Sequence, residues 1–212
     1  MRRPFNKVVI VGVGLIGSSI GMNLIRHHLA REVVGVGRDR RNLKEALRRR
    51  AVHRFVGKKQ AAPLLAGLTK DDLVILATPV RSILQYLRIL PKEVLVTDTG
   101  STKLSILREA SRRKLRFVGS HPIAGTEKSG SSAGEPALFK NRFCLIVSPP
   151  RSSRLDLEKI QSLWKAMGGH PVSIPAGRHD RLLAAVSHLP HAAAFALMSA
   201  VCQLVSMRER RY

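Results

Sequence analysis

Cysteine is scarce in this sequence, which has 212 residues and only two cysteines, Cys144 and Cys202. Neither belongs to a Cys-x-x-Cys pair, which argues against a disulfide framework and against a zinc site. We therefore predict a reduced, cytoplasmic protein without a bound metal. The apolar run at residues 8–13 is short, interrupted by glycine and without a cleavage pattern, so we expect no signal peptide.

Acidic residues are also few: 14 Asp and Glu stand against 37 Lys and Arg, which gives a formal net charge of +23. Such an excess favours anionic partners, either nucleic acid or small polyanions such as a dinucleotide phosphate and a dicarboxylate substrate. Aromatic residues make up only 4% of the chain and do not interleave with the basic clusters. We therefore expect no specific nucleic-acid binding.

Only one apolar run, at residues 182–207, is long enough to cross a membrane. Ser187, His188, Pro190 and Gln203 lie within it. Polar groups at this density are typical of a buried helix rather than of a membrane span, so we predict a buried helix and no membrane partner. Pro190 predicts a kink in that helix.

Apolar strands alternate with amphipathic helices along most of the chain. The predicted strands lie at residues 7–11, 32–36, 73–77, 94–97 and 117–119. The predicted helices between them include residues 42–50, 80–89 and 103–114. This alternation predicts an α/β fold with a Rossmann-type, doubly wound, mostly parallel sheet.

The pattern changes after a loop rich in glycine and serine at residues 125–134. The segments that follow are an apolar run at 144–147, a helix at 155–167 and a strand at 172–174. Beyond Pro175 the pattern is purely helical. We therefore predict a dinucleotide-binding domain at residues 1–174 and the start of an all-helical substrate and dimerisation domain at residues 175–212.

A GxGxxG motif follows the first predicted strand and opens a helix. In this context Gly12 permits a tight turn, Gly14 lets the backbone approach a pyrophosphate, and Gly17 allows the helix to pack closely. The amides of Leu15 and Ile16 lie at the start of that helix, where the backbone attracts anions. The motif predicts a dinucleotide cofactor.

The end of the second predicted strand indicates which dinucleotide is preferred. An acidic residue at this point would bind the ribose 2′-hydroxyl, but the sequence has Gly37 followed by Arg38. Because a guanidinium can hold a phosphate with two hydrogen bonds, this exchange favours NADP. Asp39 keeps NAD open as an alternative, and Arg38 could instead be a solvated surface charge.

Thr78, Pro79 and Asp98 follow the third and fourth predicted strands. The carboxyl ends of parallel strands form the edge where ligands bind, so we predict that these residues contact the cofactor. The alternative for Thr78 and Asp98 is that they only cap the following helices.

Three further segments are distinctive: residues 98–103 (DTGSTK), 119–130 (GSHPIAGTEKSG) and 187–191 (SHLPH). These segments resemble the prephenate dehydrogenase family, which includes arogenate and cyclohexadienyl dehydrogenases. Together with the glycine motif they extend over nearly the whole chain in the family's order. The resemblance implies oxidative decarboxylation of prephenate or arogenate with hydride transfer to NADP or NAD, in the biosynthesis of tyrosine.

The resemblance also implies roles for particular side chains. His121 would accept the proton of the substrate hydroxyl, a task that suits a neutral imidazole. Ser101 would hydrogen-bond the same hydroxyl and orient His121. His191, Ser187 and Thr126 would bind the substrate.

Members of the family continue into further helices that form a dimer interface and supply an arginine for a substrate carboxylate. The resemblance therefore implies a homodimer through the C-terminal helices, and a chain that lacks the last part of the helical domain. The alternative to an active enzyme is a dinucleotide-binding module without turnover.

Overall fold

A six-stranded parallel sheet forms the centre of the computed structural model, which describes residues 4–150 and 152–204. The strands are β1 (Phe5–Val11), β2 (Ala30–Gly37), β3 (Arg54–Gly57), β4 (Leu73–Leu76), β5 (Leu95–Asp98) and β6 (Arg116–Phe117). Their order across the sheet is β3-β2-β1-β4-β5-β6, and each neighbouring pair is parallel. This is the strand order of a Rossmann-type sheet, so the predicted fold class is confirmed.

Helices cover both faces of this sheet. They are α1 (Leu15–Arg26), α2 (Arg40–Arg48), α3 (Ala61–Ala66), α4 (Val80–Leu87), α5 (Leu104–Arg112) and α6 (Arg154–Ala166). Along β1, Val8 and Ile10 belong to the core on the α1 and α6 side, whereas Val9 and Val11 belong to the core on the α4 and α5 side. Because both faces are buried, the centre of the strand is an unbroken apolar run.

Beyond β6 the chain starts a second, three-stranded sheet. Its strands are β7 (Gly119–Pro122), β8 (Phe143–Val147) and β9 (His170–Ser173). The strand predicted at residues 117–119 is therefore two elements that separate at Val118. The amide of Val118 still donates to the carbonyl of Val96, at 3.0 Å, so β7 begins directly beside β5.

Two elements were missing from the sequence prediction, β3 and α3. β3 is a four-residue edge strand without a fully buried residue, so it has no apolar run. α3 has six residues, of which only Ala61 and Leu65 are buried, and this length is too short for a helical period to be recognised.

Between Pro175 and Leu204, the last described residue, the chain is helical, as predicted. Helix α7 (Ala176–Leu183) continues through one π-helical turn (Ala184–His188) into α8 (Leu189–Leu204). The helix does not end at Pro190, the second residue of α8, although proline supplies no N–H to the helical ladder. The kink at Pro190 stays a prediction.

The prediction of a buried helix is wrong for α8, every residue of which is exposed, although Leu183 of α7 is buried. Residues 205–207 lie outside the described residues. By length and composition alone, the helical span Ala176–Leu204 could cross a membrane. An exposed apolar surface of this extent is typical of a contact surface.

The close approach of α1 to the turn after β1 leads to a stability prediction. An alanine Cβ at Gly17 would lie 1.9 Å from the carbonyl oxygen of Gly12, whereas at Gly177 of α7 it would meet nothing within 4 Å. We expect Gly17→Ala to lower the free energy of unfolding by about 1–3 kcal/mol through overpacking. Gly177→Ala should leave it unchanged or raise it by up to about 1 kcal/mol. Urea denaturation measures both, and equal effects would contradict the packing argument.

Candidate active site

The turn between β1 and α1 has a conformation that its glycines require. Gly12 has a φ of +96°, and a side chain there would lie 2.3 Å from the carbonyl oxygen of Ala77. Around Gly14, in contrast, a Cβ would meet nothing within 4 Å. α1 then begins at Leu15 without a side-chain cap and without an acidic residue in its first turn. Its first amides are therefore available to an anion lying over Gly14.

A cleft of about 850 Å³, partly open to solvent, lies at the carboxyl ends of β1, β2 and β4. The strand order reverses between β1 and β4, which is where Rossmann-type sheets bind dinucleotides. The predicted cofactor residues that line the cleft are Gly12, Gly14, Arg38, Thr78 and Pro79. Leu15, Ile16 and Gly17 lie directly behind the turn, at the start of α1.

Basic residues from two elements meet at the β2 side of the cleft. Arg38 and Lys58 both line it. Sequence reasoning missed Lys58 because it follows β3, an element that was not recognised. Asp39 also lies here, but its carboxylate accepts the backbone N–H of Arg41 at 2.8 Å and so caps α2. The cations at this end are therefore not paired with Asp39 by any hydrogen bond among the described residues.

The hydroxyl of Thr78 is also suited to binding a ligand. Its Oγ1 is buried and has no hydrogen-bond partner among the described residues. A buried hydroxyl without a partner destabilises a protein by about 1–3 kcal/mol. Since Thr78 lines the cleft, a polar atom of a bound ligand would complete its hydrogen bonding.

The prediction that the side chain of Asp98 contacts the cofactor is wrong. Its side chain is completely buried and forms an ion pair with Lys103, which is 1% exposed. It also accepts the backbone N–H of Gly100 at 2.8 Å and of Ser120 at 3.3 Å. Burial raises the pKa of Asp98, and Lys103 and these amides oppose that shift. The carboxylate holds the loop after β5 and has no surface left for a cofactor.

His121 lies at one end of a hydrogen-bonded chain of three side chains. Its Nδ1 is 2.9 Å from Nε2 of His179, and Nδ1 of His179 is 2.7 Å from Oδ1 of Asp180. The Asp180 carboxylate also accepts the backbone N–H of Lys103 at 2.8 Å and of Leu104 at 3.0 Å. His179 and Asp180 belong to α7, so the chain joins β7, α5 and α7.

The surroundings keep the imidazole of His121 neutral. Burial, followed by the positive charge of Lys103 and the proximity of His179 and His188, lowers the pKa of His121 to about 3. Asp180 opposes this shift. An ordinary histidine becomes protonated as the pH falls through about 6.5, whereas His121 stays neutral until the pH approaches about 3.

The remaining predicted site residues are more exposed. Ser101 is exposed, and within the described chain it forms no hydrogen bond with His121, whose Nδ1 partner is His179. Thr126 is also exposed, and its hydroxyl accepts the backbone N–H of Lys128 at 3.2 Å. The substrate contacts of both residues stay predictions.

Ser187 and His191 lie one turn apart on the C-terminal helix, as predicted. The Nδ1–H of His191 donates to the backbone carbonyl of Ser187 at 2.7 Å. His191 is exposed, and this bond leaves its Nε2 free for another partner. His188, between them, is close enough to affect the pKa of His121, so the π-helical turn lies near His121, which is half-buried.

The loop at residues 125–134 is attached to the glycine turn. The Ser131 hydroxyl contacts the carbonyl oxygens of Val13 and Asn42, and its backbone N–H donates to Oδ1 of Asn42 at 3.0 Å. Asn42 also lines the cleft. The segment that follows His121 is thus fixed to the wall of the dinucleotide cleft.

Comparisons with known proteins agree with this geometry. Residues 20–173 match the family model described as the nucleotide-binding domain of prephenate dehydrogenase. The chain is 29% identical over 206 residues to prephenate dehydrogenase of Bacillus subtilis, covering 93% of this chain and 54% of that protein. It is 30% identical over 203 residues to cyclohexadienyl dehydrogenase of Zymomonas mobilis, covering 93% and 68%.

A solved structure gives the same result. The crystal structure of Aquifex aeolicus prephenate dehydrogenase, in complex with hydroxyphenyl propionate and NAD+, superposes with a TM-score of 0.87 at 27% identity. It covers 98% of this chain and 74% of that one. The chain spans about half the length of the Bacillus subtilis relative. By its matched domain, its strand order and its motifs, the chain belongs to the prephenate dehydrogenase family.

Proposed function

We propose that this chain contains the catalytic core of a cytoplasmic prephenate or arogenate dehydrogenase that uses NADP in tyrosine biosynthesis. The observation that carries the proposal is the neutral, hydrogen-bonded His121 on β7, which packs beside β5 at the carboxyl edge of a dinucleotide-binding sheet. A glycine turn alone would support only dinucleotide binding. A proton acceptor at that edge supports oxidation of an alcohol.

Each residue of the site has its own role in the proposed reaction. A dinucleotide held by the glycine turn, Arg38 and Thr78 would supply the acceptor for the hydride of the hydroxyl-bearing ring carbon. Nε2 of His121 accepts the hydroxyl proton, and the ring carboxylate leaves as carbon dioxide. The exposed hydroxyls of Ser101 and Thr126, together with Ser187 and His191, bind and orient the substrate.

The preference for NADP is supported by charge at the β2 end of the cleft. Gly37 leaves no carboxylate to hold a 2′-hydroxyl, and Arg38 and Lys58 supply two cations for a 2′-phosphate. Asp39 is occupied by the cap of α2 and does not neutralise them through a hydrogen bond. NAD is the alternative cofactor, and the Aquifex aeolicus structure contains it.

The partner we propose for α8 is a second copy of the chain. The helix is apolar and exposed along its whole described length, with Phe195 at 75%, Leu197 at 66% and Leu204 at 85% of their full exposure. An isolated helix of this composition would aggregate or dimerise. Pairing two such helices buries both apolar surfaces at once.

Replacing Arg38 tests the cofactor preference. We expect Arg38→Ala to weaken NADP binding about 10- to 100-fold, because a charge-assisted hydrogen bond contributes about 1.5–3 kcal/mol. NAD binding should change by less than about threefold, since NAD has no phosphate for this side chain. Arg41→Ala, three positions further along in α2 and not among the residues that line the cleft, is the matched control. Titration calorimetry with both dinucleotides measures the effect, and equal losses for NADP and NAD would contradict the proposal.

Replacing His121 tests the reaction. We expect His121→Asn to lower kcat by about 10²–10⁴-fold, the usual contribution of a general base, with dinucleotide affinity unchanged. Steady-state reduction of NADP with prephenate and with arogenate provides the measurement. In the wild type, protonation of His121 should cause no loss of kcat/KM between pH 8 and pH 5, because its pKa is about 3.

Two outcomes would count against this proposal. Turnover of the asparagine variant near the wild-type rate would exclude His121 as the base. Tight dinucleotide binding by the wild type, with no turnover of either substrate, would identify the chain as a binding module.

Replacing Phe195 tests the contact surface. We expect the wild type to sediment as a dimer and Phe195→Glu to sediment as a monomer, because a buried carboxylate would be left unpaired in the interface. Leu155→Glu, which changes an exposed apolar residue of α6 that is 59% exposed, should remain dimeric. Analytical ultracentrifugation over a range of concentrations distinguishes these states. A wild type that is monomeric at every concentration would refute the dimer.

A further inference from the structure

The hydrogen-bonded chain that ends at Asp180 fixes the positions of several protons. Both oxygens of Asp180 accept backbone N–H groups at the start of α5, from Lys103 and Leu104. Although burial opposes it, these amides and His179 lower the pKa of Asp180, so the group is a carboxylate. A carboxylate has no proton to donate. The nitrogen that faces it, Nδ1 of His179, is therefore the donor and carries a hydrogen.

The hydrogen on Nδ1 of His179 also determines the hydrogen position on His121. A neutral imidazole has one donor nitrogen and one acceptor nitrogen, so a hydrogen on Nδ1 of His179 makes its Nε2 an acceptor. Nδ1 of His121, at 2.9 Å from that acceptor, must then be a donor. Nε2 of His121 is left with a free lone pair. The state of Asp180 thus determines which nitrogen of His121 can accept a proton.

We propose that His179 and Asp180 are positioning residues that hold His121 in its Nδ1–H tautomer and take up the positive charge that His121 gains in the reaction. The second half of this inference rests on the proposed dehydrogenase function. The first half concerns the protein alone.

The proton movements balance along the chain. The substrate O–H bond breaks as an N–H bond forms at Nε2 of His121, which makes that ring a cation. The hydrogen on Nδ1 of His121 then moves to Nε2 of His179, so His121 becomes neutral again and His179 becomes the cation. No oxidant or further reactant takes part in this transfer.

The charges around the two rings favour this displacement. The titratable groups that affect His121 are Lys103, His179, His188 and Asp180. Burial lowers the pKa of His179 as well, and so does Lys103, whereas Asp180 and Asp98 raise it. Lys103 repels a cation on either ring, but only His179 donates directly to a carboxylate, at 2.7 Å. A positive charge is therefore better compensated on His179 than on His121.

The tautomers can be observed directly in the intact chain. Two-bond proton–nitrogen correlation spectra of the nitrogen-15-labelled protein distinguish a ring protonated at Nδ1 from one protonated at Nε2. We expect both His121 and His179 to be Nδ1–H tautomers at neutral pH. A wild-type His121 or His179 with its hydrogen on Nε2 would overturn the proposal, and this spectrum requires no turnover.

Substitution of His179 gives the second measurement. His179→Phe removes the acceptor, so His121 should lose its fixed Nδ1–H form, and kcat should fall tenfold or more without a change in the KM for NADP. His170→Phe, the same change at an exposed position of β9, should alter neither. A folded His179→Phe protein with an unchanged His121 tautomer would refute the assignment. If this variant fails to fold, the wild-type spectrum alone tests the assignment of the two tautomers.

The two proposals fail in different ways. Nδ1–H tautomers in a protein that turns over neither substrate would exclude the dehydrogenase function and leave the hydrogen-bonded chain intact. Turnover by a protein whose His121 carries its hydrogen on Nε2 would exclude the positioning role and leave the function intact.

Discussion

The carboxylate of Asp180 holds together two parts of the molecule that are far apart in sequence. It accepts the first amides of α5, which otherwise has no side-chain cap, and it orients His179 on its own helix. A cap of this kind stabilises a helix by about 1 kcal/mol, a modest amount. Its larger effect is geometric, because α7 is fixed against the sheet and His179 is held under His121.

Lys103 connects the hydrogen bonds of Asp180 to a buried ion pair. Its backbone N–H binds Asp180, while its ammonium group is buried against Asp98. Removing two charges from water is expensive, and a buried pair stabilises a protein only when further hydrogen bonds complete it. Asp98 receives these from Gly100 and Ser120, the residue before His121. The ion pair thus fixes the strand that carries the histidine.

The sequence was sufficient to predict the features that depend on residues close together in the chain. The apolar run of β1 and the glycine turn predicted the fold and the cleft, since both depend on neighbouring residues. His179 could not be predicted in this way, because its partner His121 is 58 positions away and one histidine on a helix has no pattern. Asp98 was assigned to the cofactor because its place at a strand end was visible, whereas its burial depends on Lys103 and on the second sheet.

Positive charge acts on binding and on chemistry through different residues. The net charge of +23 favours an anionic dinucleotide and a substrate with carboxylates. Charges on the surface are screened within about 8–10 Å at physiological salt, so most of the 37 basic residues act on encounter rather than on His121. Lys103 is different because it is buried beside the ring and water does not screen it. The neutral histidine therefore depends on one lysine and on its own burial, and a proton that it accepts is best stabilised further along the chain, next to Asp180.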